Sequence, residues 1–399
     1  MARRAILHIG VMKTGSSSIQ AWLSRERRRL AARGVHVPLG NMSFLATTAI
    51  GKPEGPRARQ SFQRQDRLLK EVADLPPDIH TVVLSGEALG QHLHTEARVA
   101  YLKTVLDTCF SEYLVVVYLR RQDQQSISYH AYSLRRGQPR ILLRSPMDYA
   151  AMLDAWSGVF GADAVRPRVF ERQSLVAGDA VADFAEVTGL GPMGEPLIQG
   201  NVNPSNRPAA QMLLQALFKA ATHDGGLTSS QFVSSDGFRA FMRELDANYA
   251  GTGALPTRGE ARAFYESCRD ANERVRRSWF PERRSLFDED FGRYPEEPQP
   301  QPGRDEILEI SAKMLGKLLL SPVWGQSKAR AVPDEALADE MLPEVPGGSG
   351  GEGGPGAWRA TVREERKKAR AEIRQREAHG SSDERRARER AVAGAPPTS

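Results

Sequence analysis

Residues 5–20 read Ala5-Ile-Leu-His8-Ile-Gly10-Val-Met-Lys13-Thr14-Gly15-Ser16-Ser17-Ser18-Ile-Gln20. A short apolar run stops at Gly10, a turn carries Lys13 and Gly15, and three hydroxyl residues open a helical pattern. Strand, glycine turn and helix N-terminus in that order build an anion seat from backbone N–H groups, hydroxyls and one ammonium. The stretch differs from the nucleotide-triphosphatase loop G-x-x-x-x-G-K-[ST], whose Lys follows the second Gly and reaches the β and γ phosphates. Gly10 and Gly15 keep that spacing, but Ser16 stands where the lysine would be and Lys13 lies two residues before Gly15. An ammonium there is expected nearer the first anionic group on the helix end than a distant γ-phosphate. The bland alternative is an ordinary strand–turn–helix with a Gly-rich corner.

Farther along, Tyr113-Leu-Val-Val-Val-Tyr118-Leu119 is a near-continuous β-branched run, as expected of a strand buried on both faces of a parallel sheet. It leads into Arg120-Arg121-Gln-Asp123-Gln-Gln-Ser126-Ile-Ser128. Arg120 is thus expected at the C-terminal end of a strand, the edge where open α/β sheets bind ligands, and Ser128 two turns into the next helix. The plain alternative for Arg120 is a surface ion pair with Asp123. Arg121 reads as solvent-facing or a packing partner, and Ser126 replaces Ser128 if the helix phase is shifted.

With both segments in view, the chain resembles the sulfotransferases that use 3′-phosphoadenosine 5′-phosphosulfate (PAPS), bacterial glycan-directed members above all. Lys13-Thr14-Gly15-Ser16-Ser17 matches their 5′-phosphosulfate loop, and Arg120 with Ser128 matches their 3′-phosphate pair. Fainter likeness runs through Val169-Phe-Glu171, Gly189-Leu190, Asn203-Pro-Ser205 and Phe280-Pro281, so the resemblance spans roughly residues 4–295 with firm motifs only in the first 130. It implies a P-loop-like fold and transfer of a sulfuryl group to a carbohydrate-type hydroxyl or amine. In that chemistry Lys13 meets the charge growing on the oxygen between sulfur and phosphorus, as phosphate donors do in phosphoryl transfer. Thr14, Gly15, Ser16, Ser17 and Ser18 would hold the 5′-phosphate, with Gly15 bare to admit it. Arg120 and Ser128 would hold the 3′-phosphate that ATP and ADP lack. No metal is required, and no carboxylate cluster suits Mg²⁺.

The acceptor hydroxyl needs a general base. Ser85-Gly86-Glu87 closes another strand-like run, and Glu87 is favoured because relatives carry a similar Ser-Ser-Glu sequence there. A capping or surface carboxylate is the alternative, and His36, His92, His94 and His130 are rivals. His8, inside the first strand, reads as buried and hydrogen-bonded. Relatives often place a His near Asn41-Met42-Ser43, where this chain has Met42.

The chain has 399 residues, enough for one large α/β domain with additions. No 18-residue apolar stretch occurs, and the opening Met-Ala-Arg-Arg with Ala5–Met12 is too short for a signal peptide and would take the phosphate turn with it, so a cytoplasmic protein is expected. Cys109 and Cys268 form no disulfide framework and no zinc motif. The net charge of +6 is localised: residues 359–390 hold 12 basic against 7 acidic side chains, leaving a nearly neutral body. That argues against a nucleic-acid-binding surface.

Strand-like runs at Ala5–Gly10, Thr81–Gly86, Tyr113–Arg120 and Ala164–Phe170 alternate with helical patterns at Ser16–Arg33, Arg59–Leu75 and Ala97–Thr108. Ser145-Pro146-Met147-Asp148 reads as a further helix start. The fold class is therefore α/β, with a mainly parallel sheet covered by helices. Helical patterns at 206–222, 234–249, 260–277 and 305–320 suggest a helical cap after residue 205. The division expected is a catalytic domain over 1–325, its α/β core over about 1–200 and helical part over 205–325, then a low-complexity linker and charged tail over 326–399. The tail is read as solvated, or as a weak contact for anionic surfaces. A P-loop kinase and a non-catalytic nucleotide-binding module are the competing functions.

Overall fold

The computed structural model describes residues 3–50, 56–137, 142–144, 146–191 and 205–320. Its centre is a five-stranded, all-parallel sheet in the order β2-β3-β1-β4-β5. The strands are β1 (Arg4–His8), β2 (Val35–His36), β3 (Thr81–Ser85), β4 (Glu112–Leu119) and β5 (Val165–Val169). In register, Leu7 of β1 lies between Leu84 of β3 and Val115 of β4.

Alternation along each strand explains the layers. Ala5, Leu7, Val82, Leu84, Val115 and Val117 face one core, which helices α3 (Pro56–Ala73), α5 (Glu96–Leu106) and α7 (Tyr149–Phe160) cover. Ile6, Val83, Leu114, Val116 and Tyr118 face the other, under α1 (Ser16–Ala31) and α8 (Ala180–Thr188). Each such Leu, Ile or Val contributes about 1.5–3 kcal/mol by leaving water, which is why both faces of these strands are apolar. Between them on the chain lie α2 (Phe44–Ala49), α4 (Ala88–His92) and α6 (Gln122–Leu134).

The chain leaves β1 toward the β3 side and leaves β4 toward β5, so the strand order reverses between β1 and β4. The crevice at their carboxyl ends is the switch point at which open α/β sheets bind ligands. Both phosphate-like motifs hang from these two strands.

The second half divides in a way the sequence does not announce. Helices α12 (Arg258–Glu266) and α13 (Arg269–Trp279) and the loop through Tyr294 join the first core through Tyr265, Val275, Phe287, Phe291 and Tyr294. Helices α9 (Pro208–Lys219), α11 (Asp236–Tyr249) and α14 (Arg304–Leu319) instead build a separate cluster, joined by Leu134 of α6. The short α10 (Ser229–Ser234) precedes α11. After residue 205 the described residues hold only an isolated bridge, Asn206 with Ala250.

Three expectations need correction. The helix read from Ser145 begins at Tyr149, with Asp148 as its cap accepting from the Ala151 amide; Ser145 itself lies outside the described residues. The single helix read over 260–277 is two, broken at Ser267-Cys268. The two-residue β2 and the helices α2, α4 and α8 carried too little periodicity to be read. Asn203 and the segment 326–399 lie outside the described residues.

Candidate functional site

The turn between β1 and α1 is built around two left-handed glycines. Gly10 (φ +94°) must stay bare because a Cβ would meet the Glu87 Cα at 2.9 Å. Gly15 (φ +82°) caps α1, and a Cβ there would meet Ala180 at 3.0 Å and the Phe170 ring at 3.3 Å. The close approach is thus to protein beneath the turn, in addition to the backbone access the sequence suggested. Gly15→Ala is expected to destabilise the fold by roughly 1–2 kcal/mol from the left-handed backbone alone. A melting curve checks this, and an unchanged midpoint would contradict the packing described.

The hydroxyls divide their work. Thr14 and Ser16 are buried and both donate to the Val11 carbonyl, at 2.5 and 3.3 Å, so they fasten the turn to the strand end. Ser17 is exposed and Ser18 half-buried. The first helical turn leaves the Ser16 and Ser17 amides without intrahelical acceptors, and Gly15 supplies no side-chain cap. Those amides point the helix's partial positive charge at the crevice.

Lys13 also holds a left-handed backbone (φ 70°), rare for a residue with a side chain. Its carbonyl accepts from Arg120 Nη1 at 2.8 Å, a bond that joins residues 107 positions apart. Its ammonium lies 4.9 Å from the centre of the Tyr132 ring on α6. Among the described residues no carboxylate pairs with it. Burial pushes the Lys13 ammonium below its ordinary range; Glu87 opposes this and Arg120 and Arg135 add to it. Glu87, immediately before α4, is half-buried and caps nothing with its side chain. Burial pushes its carboxyl above the ordinary range, against the pull of Lys13 and Arg136. Both groups are thus displaced from their ordinary ranges chiefly by burial, and each one's charge acts against the other's shift.

Arg120 follows β4 and borders a second recess of about 250 Å³ with Gln124, Phe170 and Arg293. Its guanidinium stacks 5.6 Å from the Phe170 ring centre, and its Nε is buried without a partner. Burial, with the nearby Arg293, lowers its pKa to about 10. The alternative reading of Arg120, an ion pair with Asp123, is not made: Asp123 is held by Arg121 at 2.9 Å and by the Tyr294 hydroxyl. Arg121 is 2 % exposed, so of its two readings packing is the one observed. It stacks on Phe291 and donates to the Asp288 and Asp290 carbonyls, fixing the loop that carries Arg293. The acidic side chains of this recess are committed locally: Glu171 to Arg283 and the Asp288 amide, Asp288 to the Asp290 amide, Asp290 to the Gly292 amide.

Gln124, Ser128 and Tyr132 are spaced one turn apart on one face of α6. Gln124 lines the Arg120 recess and Tyr132 meets the Lys13 ammonium, and Ser128 falls between these two on the helix face. Ser126 is on another face, donating to the Leu142 carbonyl and accepting from the Arg144 amide. Of the histidines, His8 is buried in β1 with Nδ1 2.8 Å from Ser85 Oγ, and burial lowers its pKa to about 3. His36 bonds Glu71 on the edge strand, away from the crevice. His92 and His94 line a separate cavity, and His130 lies on α6. Met42 is buried against the Gly86 corner. Sequence reasoning missed Tyr132 and Arg293, which reach the site by tertiary packing alone. Among the described residues no group of three His, Cys, Asp or Glu is arranged to hold a metal, and no helix is long and apolar enough to cross a membrane.

No protein-family model matches the chain, and no curated protein matches it. Among solved structures it is similar in shape to a sulfotransferase from Alicyclobacillus acidocaldarius, at 15% identity and a TM-score of 0.35. That match covers 56% of this chain and 97% of the other.

Proposed function

We infer that the protein is a PAPS-dependent sulfotransferase acting on a hydroxyl or amine of a carbohydrate-type acceptor. The observation that carries the reading is the Arg120–Lys13 hydrogen bond, which sets two cationic recesses side by side at one switch point. A donor with anions at both ends of one adenosine moiety suits that spacing of charge. The turn supports the 5′ end: two free amides, Ser17 and Lys13. The recess supports the 3′ end: Arg120 with an unpartnered buried Nε, and Arg293; Ser128, one turn after the recess-lining Gln124 on α6, would complete the grip. PAPS supplies the sulfuryl group, and its loss leaves adenosine 3′,5′-bisphosphate. Lys13 would meet the negative charge that grows on the departing phosphate oxygen, where a fixed donor in a dry site acts most strongly. Glu87 would take the proton of the attacking hydroxyl, its raised pKa making the transfer easier near neutral pH.

A thermal-shift panel tests the reading. Adenosine 3′,5′-bisphosphate is expected to raise the melting temperature, with ADP and ATP–Mg²⁺ giving little. At a hundredfold excess over Kd, binding adds about 2.7 kcal/mol. Arg120→Met should abolish the preference for the 3′-phosphate, because a fork-shaped donor to that group is gone. Stabilisation by ATP–Mg²⁺ alone would favour a kinase, and by none of the three a non-catalytic module.

A further inference from the structure

A cavity of about 460 Å³ opens on the far side of α6 from Gln124, and none of the chemistry above uses it. Its walls come from the end of α4, one face of α6, the segment before α7, and Phe264 of α12. It touches the candidate site at two points. Gln125 lines it and donates to the Met12 carbonyl at 3.2 Å, one residue before Lys13. Gln91 lines it one helical turn after Glu87, on the same face of α4. The volume falls in the range of small-ligand pockets, enough for a sugar-sized molecule rather than a buried polymer.

The charged groups in the wall are few. Arg144 stacks on Tyr129, its guanidinium carbon 4.5 Å from the ring centre, and among the described residues it pairs with no carboxylate. Asp148 also lines the cavity, but its Oδ1 accepts the Ala151 amide as the α7 cap. His92 and His94 complete the rim; burial lowers both, and for His92 the positive charges of Arg144 and Arg98 lower it further. At neutral pH this leaves two uncharged imidazoles able to bond hydroxyls, and one fixed cation braced on an aromatic ring. A stacked guanidinium keeps its fork free for a carboxylate or phosphate-like anion.

The geometry points to this cavity as the acceptor pocket, taking a sugar-sized hydroxyl compound that carries an anionic substituent held by Arg144. The reactive hydroxyl then lies at the Gln91–Gln125 end, toward Glu87 and Lys13. The inference rests on the sulfotransferase reading for its chemistry but not for its binding site, and the test separates the two.

Binding is measured first without donor, by ligand-detected NMR, for methyl β-glucoside, methyl β-glucuronide and methyl glucoside 6-sulfate. Both anionic sugars, or the carboxylate alone, are expected to bind at least tenfold more tightly than the neutral one. Arg144→Gln should bring that ratio near one and Arg144→Lys should restore part of it, with melting curves showing that both variants fold. Initial rates with ³⁵S-labelled PAPS should show the same preference in KM. Equal binding of the three sugars, or a preference that survives Arg144→Gln, overturns the pocket assignment while bisphosphate stabilisation keeps the sulfotransferase reading. Arg144-dependent anionic binding with no bisphosphate stabilisation and no transfer keeps the pocket and removes the reading.

Discussion

Lys13→Met is expected to cut sulfuryl transfer by about 10²–10³-fold, the effect of removing one preorganised donor worth about 2.7–4 kcal/mol in the transition state. The side chain is unbranched and of similar length, so the turn's own fasteners, Thr14 and Ser16 on the Val11 carbonyl, stay in place. The Arg120 bond goes to the Lys13 backbone carbonyl and also survives. Bisphosphate affinity should therefore change far less than kcat, because the ammonium matters most to charge that exists only as the bond breaks. Initial rates of labelled-sulfate transfer and bisphosphate titration on the same preparation check the split. Equal loss in both would make Lys13 a ground-state phosphate contact.

Glu87→Gln is the second large effect, a fall of two or more orders of magnitude in turnover with donor affinity nearly intact. Its pH signature is more telling than its size. The carboxylate is the active form of the base, so the rate rises as Glu87 loses its proton; burial displaces that rise above the ordinary carboxylate range. The ammonium is the active form of Lys13, so the rate falls as it deprotonates, at a pH below the ordinary lysine range because of burial. The pair predicts a bell narrower than free side chains would give. Glu87→Gln should lose the acid limb and keep the alkaline one, and Lys13→Met the reverse. An acid limb surviving in Glu87→Gln would move the base to another group.

The parts of this site that were readable in the sequence are those whose chemistry is local. The apolar runs of β1 and β4 fix two neighbouring strands, and the residues just after them, Lys13 and Arg120, inherit their place at the sheet edge. Glu87 was readable for the same reason, as the residue two past the end of β3. The α7 start was misread because Ser-Pro-x-Asp satisfies one capping pattern while Asp148 satisfies a later one. The break between α12 and α13 shows neither Pro nor Gly, so no local signal marks it. Tyr132 was hidden for a different reason: a ring on a helix gives no hint that an ammonium from a turn 119 residues earlier will rest on it. Arg293 depends on a chain of contacts, Arg121 to Asp123 to Tyr294, that exists only after folding.

That last chain of contacts makes the second wall a long-range feature of the fold. The lysine turn is held by β1, α1 and the Arg120 bond and rests on Phe170 and Ala180, whereas Arg293 of the second cationic wall comes from a loop about 170 residues downstream of Arg120, clamped by a buried guanidinium. The chain up to α8 holds every strand of the sheet and all of the proposed nucleotide grip except Arg293. The far end of the donor would then be enclosed on both sides only after the distant loop through Tyr294 has docked against the sheet.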